Sequence, residues 1–159
     1  MYYTGIGSRQ TPISILKLIT NLAVVLRLSG YTLRSGGAVG ADTAFENGAR
    51  SEKQIFYAKD ATHDAIQIAI HHHPAWHRCG DYARKLHARN AFQILGVDLK
   101  TPSTFVVCWT PDGAYTDSMR SIKTGGTGTA ISIATTYNIP VYNLKHTPHY
   151  ARIIEFLTK

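Results

Sequence analysis

The chain has 159 residues, 44% of them hydrophobic and 17% charged, which is the composition and length of one globular domain and excludes a disordered tail or a coiled coil. Lys and Arg number 17 against 10 Asp and Glu, and the resulting charge of +7 favours anionic partners, whether nucleotides, nucleic acid or a membrane surface. Apolar runs fall well short of the roughly 20 residues that span a bilayer, and MYYTGIGSRQ has no charged-then-apolar leader, so a cytoplasmic protein with no membrane partner is expected.

Short β-like runs alternate with helical patterns, which predicts parallel strands joined by crossover helices. The first strand is read over 2–7, followed by a helix that Thr11 caps, Pro12 starts and Gly30 ends. In that helix Ile15, Leu16, Ile19, Leu22, Ala23 and Leu26 make a broad apolar face suited to covering a sheet. A second strand over 31–35 leads to a helix from Val39 to Arg50, and a third strand over 54–58 leads to a His-rich stretch at 60–80. That stretch holds a short helix, which Pro74 should stop, and reads as a lid. A helix over 81–95 ended by Gly96, a strand over 104–109, a long polar connection at 110–125, a helix over 128–137, a strand over 139–144 and a helix over 148–157 complete the chain. The expected fold is a single α/β domain over 1–159, with a doubly wound, mostly parallel five-stranded sheet covered by helices on both faces.

Three glycine-containing segments each follow a strand: Gly5, Gly7, Ser8 and Arg9; Ser35, Gly36, Gly37, Ala38, Gly40 and Asp42; and Gly125, Gly126, Thr127, Gly128 and Thr129. In a parallel sheet such loops gather at the carboxyl edge, where a crevice receives ligands. Glycine allows backbone N–H groups to approach phosphate, and a helix starting directly afterwards adds its positive dipole end. Ser8, Ser35, Thr127 and Thr129 add hydroxyls, and Arg9 a bidentate fork. The Walker lysine is missing, and GIGSRQ fails the dinucleotide fingerprint, which argues against ordinary NTPase and NAD-dehydrogenase readings.

Asp42 and Glu46, four residues apart, are the candidate carboxylates for ribose hydroxyls or for acid–base work at a sugar carbon. Asn90 falls on the apolar stripe of its helix, where it needs hydrogen-bond partners, and Arg89 beside it can reach the crevice rim. Trp76 reads as a base-stacking ring or a buried anchor for the lid. His71, His72, His73 and His77 lack a strong ligand pattern, so they read as a lid whose positive charge rises at low pH, and no metal or cofactor is expected. Cys79 and Cys108 are too far apart in sequence and too few for a disulfide framework or a cysteine zinc site.

GSR after the first strand, RSGGAVGAD after the second, RN on a central helix and TGGTGTA before a later one resemble, in this order, the SLOG superfamily of Rossmann-like domains. That superfamily includes LOG-type phosphoribohydrolases and DprA-type recombination mediators. The resemblance runs from about Tyr3 to Leu144. It implies a nucleotide or nucleic-acid phosphate held by the glycine loops, a homo-oligomer, and ligand positions at Gly7, Ser8, Arg9, Ser35, Gly36, Gly37, Ala38, Asp42, Arg89, Asn90, Thr110 and Gly125 to Thr129 (Gly125, Gly126, Thr127, Gly128, Thr129).

The glutamates that follow GGxGT in LOG-type hydrolases are replaced here by Ala130, Ile131 and Ser132, and the 159 residues are expected to form the bare core without an effector domain. In its compactness the chain resembles stand-alone SLOG proteins of phage genomes. The leading expectation is therefore binding of a nucleoside phosphate, an ADP-ribose-like molecule or a cyclic-nucleotide signal, with sequestration of a host immune signal as an extension. The alternatives are nucleotide N-glycoside hydrolysis or transfer through Glu46 or Asp42, with Asp112 as a further substitute carboxylate, and single-stranded DNA binding through Arg9, Arg34, Arg89 and Lys123.

Overall fold

In the computed structural model, which describes residues 1–159, five parallel strands stand in the order β3-β2-β1-β4-β5. They are β1 (Tyr2–Gly7), β2 (Thr32–Ser35), β3 (Lys53–Ile55), β4 (Val106–Trp109) and β5 (Val141–Asn143). The helices are α1 (Ile13–Leu28), α2 (Ala41–Ala49), α3 (His63–Ile70), α4 (Asp81–Leu95), α5 (Thr127–Thr136) and α6 (Thr147–Thr158). This is a doubly wound α/β fold of Rossmann-like type, and no helix is long and apolar enough to cross a membrane.

Alternation of side chains along each strand divides the core in two. Tyr3, Leu33, Val107 and Trp109 pack with α1, α2 and α6, whereas Ile6, Val106, Cys108 and Val141 pack with α3, α4 and α5. Parallel strands need crossovers, and a right-handed crossover places its helix on a face set by the direction of travel. The chain moves outward from β1 to β3, then jumps back past β1 to β4 and continues to β5. The reversal puts a topological switch point between β1 and β4, with Gly7 and Trp109 paired at their carboxyl ends.

Several boundaries differ from the sequence reading for local reasons. Thr11 does not cap α1: Pro12 is the extended residue before the first turn, no side chain caps that end, and the Thr11 hydroxyl donates to the Ser8 carbonyl at 2.7 Å. The third strand pairs only over Lys53–Ile55, because Tyr57 turns into a short 3-10 segment, Ala58–Asp60, whose Asp60 carboxylate accepts from the Tyr57 amide at 2.7 Å. Helix α2 starts after Gly40, two residues later than Val39, since Gly40 takes φ 88° and breaks the helical register. Helix α3 ends at Ile70, ahead of Pro74.

The segment 60–80 is packed. Ala65 and Ala69 are fully buried, Trp76 is half-buried against the same core, and the His72 ring bonds the Ser132 hydroxyl at 2.8 Å. Arg120 donates to the His72 carbonyl at 2.7 Å, so the bend is tied to the loop preceding α5. Arg34, counted among the DNA-facing cations, is instead 2% exposed and bonds the Thr101 carbonyl at 2.6 Å and Gln54 Oε1 at 3.2 Å. Its guanidinium lies 4.0 Å over the Tyr2 ring, which leaves it no face for a phosphate backbone.

Candidate functional site

A cleft of about 670 Å³ opens at the β1/β4 switch point. Ile6, Gly7, Ser8, Arg9 and Ala38 border it from the first two glycine loops, Asp42 from α2, and Lys123, Thr124, Gly125, Gly126 and Thr127 from the third. Helix α4 forms its opposite wall. Ala83, Leu86, His87, Asn90 and Gln93 recur at helical spacing and face the opening, with Arg89 beside them.

The three glycine loops are chemically unlike. The first two spend their polar groups on each other: the Ser8 amide donates to the Trp109 carbonyl at 3.0 Å, and the Ser8 carbonyl accepts from Thr11 and from Ala41, the first residue of α2. Asp42 accepts from the Ala38 amide at 3.2 Å, and the Gly7 and Gly36 amides lie near enough to favour its charged form. Their glycines answer steric demands. A Cβ on Gly5 would lie 2.5 Å from the Phe45 ring, one on Gly7 2.8 Å from the Trp109 carbonyl, and one on Gly40 2.8 Å from the Arg9 backbone.

The third loop is open. Gly125 holds φ 63°, a conformation that favours glycine, and Cβ atoms on Gly125 and Gly126 would meet nothing within 4 Å. No side chain caps α5, and the Gly126 and Thr127 amides find no acceptor within the protein. Unsatisfied amides at a helix N-terminus carry the positive end of the dipole, and here they belong to residues that line the cleft together with Arg9 and Lys123.

Asn90 holds this loop in place, as its Nδ2 donates to the Gly126 carbonyl at 3.0 Å. Arg89 donates to the Gly36 carbonyl at 2.8 Å and lies close enough to Asp42 to influence its charge. Burial pushes the Asp42 carboxyl up to about 6, against the opposing pull of the Ala38, Gly7 and Gly36 amides and the Arg89 guanidinium. The folded protein thus holds this proton more tightly than the unfolded chain. The stability it contributes is complete below about pH 3.8 and is lost as pH rises through about 6. Ionising Asp42 in the fold therefore costs about 3 kcal/mol. A carboxyl ¹³C titration is expected to show one Asp midpoint near 6 that disappears in Asp42→Asn; a midpoint near 4 would contradict this environment.

Other sequence candidates take structural positions. Glu46 is ion-paired with Lys53 at 2.9 Å and does not line the cleft. The Ser35 hydroxyl donates to the Gly5 carbonyl at 2.6 Å, tying β2 to β1. Gly36 lies under the Gln93 carboxamide, and Gly37, at φ 70°, packs against Tyr57. The Thr110 hydroxyl donates to Asp112 at 2.8 Å and accepts from Asn143 at 2.7 Å. Asp112 also accepts from Ser121, Thr124 and the Ala114 amide, and although burial works the other way these bonds hold it below the ordinary carboxylate range. Its task is to shape the loop ahead of α5. Gly128 lies against Arg120, and Thr129 is buried with its hydroxyl 3.0 Å from His87 Nδ1.

Two features escaped the sequence reading. Gln93 is 1% exposed, borders the cleft, and leaves its Oε1 buried without a partner. The signal was present, since Gln93 follows Asn90 by three residues on the same helical stripe. The second is a grouping of His73, Cys79 and His87, whose ligand atoms lie within 4.8 Å of one another, so these three could hold a metal ion. His73 Nδ1 is already the acceptor for the Ala75 amide at 3.0 Å, which accounts for that ring without an ion. Burial lowers the pKa of His72 and His73 and brings His87 down to about 4, so these rings resist protonation. The grouping joins residues from both sides of a bend, so no linear spacing announces it.

No protein-family model, curated protein or solved structure matches this chain. The fold and the cleft define a Rossmann-like α/β protein with an open crevice at its switch point.

Proposed function

We propose that the protein binds a nucleotide-type ligand in this cleft, with a phosphate seated on the N-terminus of α5. The observation that carries the reading is the pair of unpartnered amides at Gly126 and Thr127, residues that line the same cleft as Arg9 and Lys123. Three cations, Arg9, Arg89 and Lys123, border the cleft against one carboxyl group, Asp42. That balance suits an anionic ligand. The SLOG resemblance of the glycine loops and the RN pair points the same way.

Binding without turnover is the form best supported. Glu46 is spent on Lys53 and Asp112 on the loop hydroxyls, so Asp42 is the one candidate carboxyl left in the cleft. Single-stranded DNA is less favoured, because Arg34 is buried and the remaining cations converge on one cleft rather than tracking along a groove.

A panel of nucleoside mono-, di- and triphosphates, ADP-ribose and cyclic dinucleotides, screened by thermal shift and followed by calorimetry, tests the reading. At least one is expected to bind at micromolar or better affinity and to raise Tm by several degrees, since about 100 Kd of ligand contributes about 2.7 kcal/mol. Absence of binding across the panel would overturn it.

A further inference from the structure

We infer that the inner end of the cleft is a hydroxyl-reading subsite, in which the Gln93 carboxamide, together with Asp42 and Arg89, recognises the vicinal diol of a ribose. This rests on the nucleotide reading above and adds what the sugar must present.

The geometry centres on Gly36. A Cβ there would stand 2.5 Å from Gln93 Nε2, 3.0 Å from Arg89 Cζ and 3.1 Å from Asp42 Oδ2, so the three polar groups converge over one glycine whose missing side chain makes room for them. Gln93 Oε1 and Arg89 Nε are both buried with no partner in the protein. An orphaned buried polar atom costs about 1–3 kcal/mol, so two beside each other are held ready for a ligand that satisfies them. Asp42 and Arg89 are close without forming an ion pair, which leaves Asp42 able to accept from a ligand hydroxyl.

The chemistry of the trio selects the group. Asp42 accepts, Arg89 donates, and the carboxamide does both, which matches neighbouring hydroxyls that each donate and accept. A second phosphate is disfavoured by the carboxylate. A base is disfavoured because no Phe, Tyr or Trp borders the cleft to stack on it. Position agrees as well: Asn90 bonds Gly126 at the phosphate end, and Gln93 lies three residues further along α4. That is about 4.5 Å of helix rise, on the scale of one ribose between its 5′-phosphate and its diol.

The test compares AMP, 2′,3′-dideoxy-AMP and inorganic phosphate by calorimetry on the full chain and on Gln93→Met, with Gln93→Leu as a second variant should the first fail to fold. In the wild type AMP is expected to bind about tenfold more tightly than the dideoxy nucleotide, a difference of about 1.4 kcal/mol. In the variant the two should come within twofold while the affinity for inorganic phosphate is unchanged. Equal wild-type affinities for the two nucleotides, or a tenfold preference surviving in the variants, would overturn the subsite and leave the phosphate seat standing. If none of the three probes binds, the subsite falls, and the nucleotide reading is decided by the wider panel.

Discussion

Gly126→Asp is expected to abolish phosphate binding while leaving the fold as stable as before or slightly more so. Gly126 is the N-cap of α5 at φ −61°, and a side chain there meets nothing within 4 Å, so aspartate enters without strain. Because the Gly126 backbone is already helical, the carboxylate acts as a first-turn charge that complements the dipole, which contributes about 0.3–1 kcal/mol. The same carboxylate then occupies the anion seat and repels an incoming phosphate. Affinity for any phosphate-bearing ligand should drop by about 30-fold or more, equivalent to roughly 2 kcal/mol of lost charge-assisted hydrogen bonds plus repulsion. Calorimetry paired with a denaturant melt reads both halves. Retained affinity would place the phosphate elsewhere; lost affinity with a collapsed Tm would mean that Gly126 serves the fold.

The opposite pattern is expected of Gly48→Ala, which should cost stability without touching the cleft. Gly48 lies in the last turn of α2 where that helix crosses α1, and an added Cβ would collide with the Thr20 carbonyl, 2.6 Å from the Ala23 Cβ and 2.9 Å from the Val24 amide. Two of these are backbone atoms, so no rotamer change relieves the contact. The helices must separate. Alanine's better helix propensity returns about 1 kcal/mol at most, whereas overpacking of this kind costs about 1–3 kcal/mol and more where backbone must move. A net loss of about 2–3 kcal/mol is expected, which lowers Tm by about 4–12 °C in a domain of this size. An unchanged melt would mean that α1 and α2 have slack the packing does not show.

These two glycines mark how far the sequence could be read. The alternation of strands and helices, the helix stops at Gly30 and Gly96, and the placing of three glycine loops at one sheet edge all follow from local signals, and all are present in the fold. What glycine is for at each site is a property of the tertiary neighbours. Gly5, Gly7 and Gly40 make room for Phe45, Trp109 and the Arg9 backbone, while Gly125 and Gly126 stand in open space beside the unpaired amides of Gly126 and Thr127. In sequence the two uses look the same.

The carboxylates behave similarly. Asp42 and Glu46 share a helical spacing, yet Asp42 turns into the cleft and Glu46 is drawn outward by Lys53 at the start of β3, a pairing set by strand order. Arg34 shows the limit from the other side. One cation in a strand of four residues gives no sign that Tyr2, Gln54 and Thr101 will enclose it. Asn90 was legible because its stripe is apolar on both sides; Gln93, one turn on, carries the same signal and the larger consequence for ligand choice.

The central claim is that a ligand phosphate sits on the exposed amides of the third loop. It is tested most directly by an ¹⁵N amide titration with AMP. The largest shifts are expected at Gly125, Gly126 and Thr127, with smaller ones at Ser8 and Arg9 across the cleft, and saturating along one binding curve. An unmoved spectrum, or shifts centred away from the N-terminus of α5, would contradict it.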